Sequence, residues 1–180
     1  MHGEKSTFMP TRYLLDKVIV RYALDGMVSL SLGRTLSKEQ LAALKLLHRS
    51  APGQVELYLS PASANILGKL QRIGRFDVIV QGSMDRVQIA TPTRYFTRWS
   101  RRLRQFGFSP EDARMLALAS FSTNEDRNIL GMHNFITYDH PLANLWGQRY
   151  NEIEARLNAM RSQLHSPYDH VQLPELQLLK

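Results

Sequence analysis

The sequence predicts an α/β domain of three layers, with helices covering both faces of a central parallel sheet. Three observations carry that prediction. Short apolar runs of strand length recur at residues 11–16, 55–59, 87–90 and 135–137. Between them lie stretches with apolar residues at helical spacing, opened by capping residues and closed by glycine. Strands that alternate with helices in this way pair in parallel through right-handed crossovers, and ligands then collect at the carboxyl ends of the strands. The chain has 180 residues, 43% of them hydrophobic, which suits one domain with a full-sized core.

The elements follow in order. A strand ends near Asp16, and the apolar stretch Val18-Ile19-Val20 leads through Tyr22, Ala23 and Leu24 into a helix closed by Gly26. Ser37 and Gln40 form a capping box for a helix carrying Leu41, Leu44 and Leu47, stopped by Ala51-Pro52-Gly53. Residues 55–59 form the second strand, with Glu56 in an edge position. Ser60 and Pro61 then open another helix with a cap and a proline at the first helical position. The run Asp77-Val78-Ile79-Val80 fits a strand or a helix; Val87-Gln88-Ile89-Ala90 alternates as a strand and meets a stop at Thr91-Pro92-Thr93. A helical pattern over 94–105 closes at Gly107, and Ser109-Pro110-Glu111-Asp112 starts the next helix, through Ala119. A last short strand, Phe135-Ile136-Thr137, ends at Asp139, before a long amphipathic helix from Pro141 to about Leu164. Residues 166–180, with Pro167 and Pro174, read as an extended tail. The domain division is an N-terminal extension over 1–10, the domain over 11–145, and a C-terminal helix and tail over 146–180.

Composition narrows the chemistry. The absence of cysteine excludes a disulfide scaffold, a thiolate zinc site and a cysteine nucleophile. The net charge of +7 and a pI near 9.9 favour a polyanionic partner. No apolar run approaches the ~18 residues of a membrane-spanning helix, and Met1-His2-Gly3-Glu4-Lys5 lacks the apolar core of a signal peptide, so a cytoplasmic location is expected. Neither a glycine-rich phosphate loop nor a serine elbow is present, and His133, His140, His165 and His170 do not make a metal-ligand spacing.

Asp16 and Asp139 each follow directly on a short strand, and Asp112 lies in the first turn of a helix of small apolar residues. If the strands are parallel neighbours, all three acids converge at one edge of the sheet. Closely placed carboxylates repel one another unless a cation neutralises them, which makes such a cluster a natural site for magnesium or manganese. Each acid alone has an ordinary structural use, as a turn residue or a helix cap. Glu111 lies about 100° round the helix from Asp112 and is a minor candidate only.

Leu14-Leu15-Asp16, the run from Ser109 to Ala119, and Ile136-Thr137-Tyr138-Asp139-His140-Pro141-Leu142 resemble the three motifs of PIN-domain proteins, in order and over roughly residues 11–145. The resemblance implies a PIN-like three-layer fold and a metal-dependent nuclease, most often acting on RNA, as in bacterial toxins of toxin–antitoxin pairs and in RNA-processing enzymes. It assigns Asp16, Asp112 and Asp139 to Mg2+ or Mn2+ and gives Thr137 the place of a supporting hydroxyl. It further implies single-stranded RNA as substrate, an antitoxin-like protein partner and a homodimer. The family glutamate after the second strand is missing: Ile66, or with a one-residue shift Asn65, stands in its place. Asn65 offers a carbonyl oxygen but no charge, so a non-catalytic RNA-binding or protein-interaction module is the alternative.

Residues 94–106 contain five arginines and no acid. Tyr95, Trp99, Leu103 and Phe106 share a helical face of core type, while Arg94, Arg98, Arg101 and Arg102 form a stripe able to follow a phosphate backbone. This helix precedes that of Asp112, so the stripe is expected to border the acidic cleft. The apolar stripe of the last helix, Leu142, Leu145, Trp146, Ile153, Leu157 and Met160, either covers the sheet or forms a dimer contact.

Overall fold

A computed structural model describes residues 10–48, 54–72, 78, 81–82, 85–123 and 129–180. The chain runs β1 (Thr11–Leu15), α1 (Lys17–Ser31), α2 (Lys38–His48), β2 (Val55–Leu59), α3 (Pro61–Gln71), β3 (Val87–Ile89), β4 (Thr91–Pro92), α4 (Phe96–Arg104) and α5 (Pro110–Ser120). It continues through β5 (Ser122–Thr123), β6 (Ile129–Leu130), β7 (Asn134–Thr137), α6 (His140–Arg161), a 3-10 turn over Tyr168–His170, and β8 (Glu175–Leu178). The stop expected at 51–53, the ambiguous residues 77, 79 and 80, and positions 1–9 of the expected extension lie outside the described residues.

Five strands pair in parallel in the order β3-β2-β1-β7-β8. Because β1 is central and hydrogen-bonded on both sides, its alternation sends Leu14 to one face and Leu15 to the other, and both are wholly buried. Phe135 and Ile136 of β7 divide likewise, as do Tyr58 and its neighbours Leu57 and Leu59 on β2. One core half joins the sheet to α1, α2 and α3; the other joins it to α4, α5 and α6. The three-layer α/β/α sandwich with a central parallel sheet is therefore the fold of this chain.

Local signals explain most boundaries. The Gln40 backbone N–H donates to the Ser37 hydroxyl at 3.2 Å while the Ser37 N–H donates to Gln40 Oε1 at 3.0 Å, the reciprocal pair of a capping box. Ser60 caps α3 by accepting from the Ser63 N–H at 3.1 Å. Gly107, at φ +96°, turns the chain after α4.

Four expectations are corrected. Gly26 does not end α1, which continues to Ser31 before a turn with Gly33 at φ +65°. Its lack of a side chain instead lets α2 approach, since a Cβ at position 26 would sit 2.9 Å from Leu44 Cδ1. Glu56 is not on an edge strand: β2 lies between β1 and β3, and Glu56 accepts the Tyr58 hydroxyl at 2.9 Å with Arg12 3.6 Å away. Thr91 and Pro92 do more than stop β3, for they begin a small antiparallel sheet ordered β4-β5-β6. Nor is β7 the last strand, because the tail expected to be merely extended supplies β8, paired from Asn134↔Glu175 to Thr137↔Leu178.

The α6 stripe resolves in favour of covering the sheet. Leu142, Trp146, Ile153, Leu157 and Met160 are buried within the same chain, each worth about 1.5–3 kcal/mol of apolar transfer. Among the described residues no helix is long and apolar enough to cross a membrane.

Candidate functional site

The parallel pairing of β1 with β7 sets their carboxyl ends side by side. The Asp16 N–H donates to the Ile136 carbonyl at 3.0 Å, which holds Asp16 against the end of β7. Thr137, fully buried, then links two acids: its hydroxyl donates to Asp16 Oδ2 at 2.7 Å, and its oxygen accepts the Asp139 N–H at 3.0 Å. Asp139 also caps α6, accepting the Leu142 N–H at 2.8 Å. From the neighbouring helix, Ser109 caps α5 at the Asp112 N–H (3.1 Å) and donates its hydroxyl to Asp112 Oδ2 at 2.6 Å.

Asp16, Asp112 and Asp139 line one cleft of about 510 Å³, together with Lys17, Glu111, Tyr138 and His140. A second lobe of about 550 Å³ shares Asp16, Lys17 and Glu111 and extends past Ser60, Ser63, Ile66, Phe96 and Arg114. Lys17 Nζ forms an ion pair with Glu111 where the lobes meet. Burial pushes the Asp16 carboxyl above its ordinary range, against the opposing pull of the Thr137 hydroxyl, the Lys17 and Val18 amides and the Lys17 charge. Tyr138, pushed up to about 12 by burial and the nearby Glu39 charge, donates its hydroxyl to the Glu39 carbonyl at 2.8 Å and packs edge-on against Tyr22.

Asn65 is not brought to the cleft. It is exposed and lines neither lobe, whereas Ile66 faces the second one. The apolar residue therefore occupies the inward position after β2. The arginine stripe also divides. Arg94 is exposed, 5.6 Å from the Tyr95 ring, and Arg101 is exposed on α4. Arg98 and Arg102 line a separate pocket with Arg156 of α6. At about 1.5 Å per residue, Arg156 lies roughly 25 Å along α6 from its cleft end at Asp139. The expected border between the stripe and the acids is thus corrected for Arg98 and Arg102: these side chains face α6, because Trp99 between them packs into the core.

Lys17 is a cleft residue with a weak sequence signal, since it merely follows a strand-end acid. Glu111 turns toward the cleft beside Asp112 although the two stand on different helical angles. Ser60, read in sequence only as a cap residue, also lines the second lobe, with its hydroxyl 3.0 Å from that of Ser63.

The three aspartates on this cleft are the hard oxygen donors that Mg2+ and Mn2+ take, while the fourth carboxylate, Glu111, is paired with Lys17; the donor chemistry fits either ion. Among the described residues, however, no three acidic or histidine side chains are grouped closely enough to hold a metal ion between them.

No protein family and no curated protein matches the chain. Among solved structures, the chain is similar to a chain in the crystal structure of VapBC2 from Rickettsia felis bound to a DNA fragment from their promoter. The identity is 14% and the TM-score 0.46, over 94% of this chain and 100% of that one.

Proposed function

We propose that the chain is a PIN-like nuclease that hydrolyses phosphodiesters of single-stranded RNA in the cytoplasm, with Mg2+ or Mn2+ held by Asp16, Asp112 and Asp139. The observation that supports this reading is that those three acids line one cleft beside the carboxyl ends of the two central strands, although their side chains are not drawn together around a single point. A bound divalent ion would supply Lewis acidity to the phosphodiester and activate water for attack. The chain's own residues do the positioning. Thr137 fixes Asp16 relative to Asp139, the α6 cap fixes Asp139, and Ser109 fixes Asp112. Burial of the Asp16 carboxyl makes a cation in the cleft more favourable than it would be on an open surface. The motif resemblance adds an antitoxin-like protein partner and a homodimer to the same proposal.

A second reading, a non-catalytic RNA-binding or protein-interaction module, is favoured by one observation: Lys17 already supplies a cation inside the cleft, paired with Glu111. Manganese separates the two. Under the nuclease reading, millimolar Mn2+ raises the melting temperature and supports cleavage of a single-stranded RNA, and Asp112→Asn abolishes both effects. Absence of the shift and of cleavage in the unsubstituted chain, with RNA binding indifferent to a chelator, would establish the second reading instead.

A further inference from the structure

On the outer face of the α4, α5 and α6 layer, a small pocket lies between α4 and α6. Arg98 and Arg102, one helical turn apart on α4, and Arg156 on α6 converge on it, with Trp99, Met160 and Gln163 completing the wall. No carboxylate lines it. Among the described residues none of the three arginines forms an ion pair, and the neighbouring Glu152 is taken up by Arg149 at 2.8 Å. Three guanidinium groups around one cavity repel each other unless an anion sits among them.

Trp99 forms the buried side of the same wall. The residue is fully buried, and its indole Nε1–H has no hydrogen-bond acceptor among the described residues. A buried indole N–H normally finds one, and an orphaned donor is costly. The cavity, about 80 Å³, has room for more than one water-sized group. Planar guanidinium forks match the oxygens of a tetrahedral phosphate in pairs, which lysines do not.

We propose that this pocket is an oxyanion site that binds a phosphate group, with Arg98, Arg102 and Arg156 as its charged donors. The site is separate from the acidic cleft and does not depend on metal there. Its phosphate comes either from solution or from a nucleic-acid backbone, since both present the same oxygens.

The test uses the full chain, titrated with inorganic phosphate at constant ionic strength. Saturable binding with a rising melting temperature is expected, and acetate at matched ionic strength is expected to give neither. Arg156→Gln, on the solvent side of α6, should weaken phosphate binding about tenfold. Asp112→Asn should leave phosphate affinity unchanged, which separates this site from the cleft. Competition by a short single-stranded oligoribonucleotide, lost in Arg156→Gln, assigns the phosphate to a backbone; binding of inorganic phosphate without such competition assigns it to the free ion. Equal responses to phosphate and acetate, or an unchanged affinity in a folded Arg156→Gln chain, would overturn the proposal.

Discussion

Asp16 shows at the scale of one residue how a site and the stability of its fold oppose each other. Its carboxylate stands at the end of the central strand, where burial disfavours the charged form, and Thr137 offsets that with a single hydroxyl. A carboxyl whose pKa is raised on folding binds its proton more readily in the folded state, so stability falls as pH rises above the unfolded value of 3.8. Asp16→Asn keeps an oxygen for the Thr137 hydroxyl and removes the buried charge. The expected outcome is a higher urea midpoint at neutral pH without divalent ions, together with loss of RNA cleavage; a lower midpoint would show that the carboxylate is already compensated. His133 works in the opposite sense. Its Nδ1 accepts the Arg12 N–H at 2.9 Å, and burial, then the Arg12 charge, hold its pKa below the ordinary 6.5. The folded chain therefore holds fewer protons than the unfolded one, and stability is lost as pH falls from 6.5 toward the folded pKa. Urea midpoints compared between pH about 7.5 and about 5.5 should fall less in His133→Ala than in the unsubstituted chain, by a small margin because the ring is largely exposed to screening solvent.

Elements differ in what the sequence reveals of them. The capping box at Ser37 and the caps at Ser60 and Ser109 are legible because hydroxyl and backbone meet within one turn, and local spacing is all they require. Gly26 is misread for the complementary reason. Glycine in sequence signals a helix end, but here its role is set by Leu44 on another helix, which no local pattern announces. Two substitutions separate these uses of glycine. Gly147→Ala, inside α6 with open space around the added methyl, should gain about 0.5–1 kcal/mol in urea denaturation. Gly26→Ala should lose about 1–2 kcal/mol net, because overpacking against Leu44 outweighs the same propensity gain. A gain at both positions would mean that α1 and α2 separate without cost. The arginine stripe follows a similar logic: spacing shows that Arg98 and Arg102 share a face, but only the crossing with α6 shows that the face meets Arg156. The basic charge is thus concentrated partly behind the site rather than around its mouth.

The whole molecule is organised by β1. Its partners are β2 on one side and β7 on the other, with β3 and β8 outermost, so the strand nearest the start of the described chain lies in the middle of the sheet. The alternation of strands and helices makes this layered class legible, and the strand-end acids are legible with it because parallel neighbours align their carboxyl ends. The eighth strand is not, since Leu176 and its neighbours follow prolines in a run too short to stand out from a tail. A fragment ending at residue 131 would retain β1, β2 and β3 but lose the strand that covers the other edge of β1, along with α6. It is expected to melt without a cooperative transition by circular dichroism, whereas a sharp transition would mark the fragment as an autonomous folding unit.

The bond from Thr137 to Asp16 spans 121 positions of chain. During synthesis, Asp16 leaves the ribosome long before its companions, and the cleft has no floor until β7 has emerged and threaded in beside β1. For a chain proposed to cut RNA, that order of events keeps the nascent polypeptide from acting on the message until β7 has emerged.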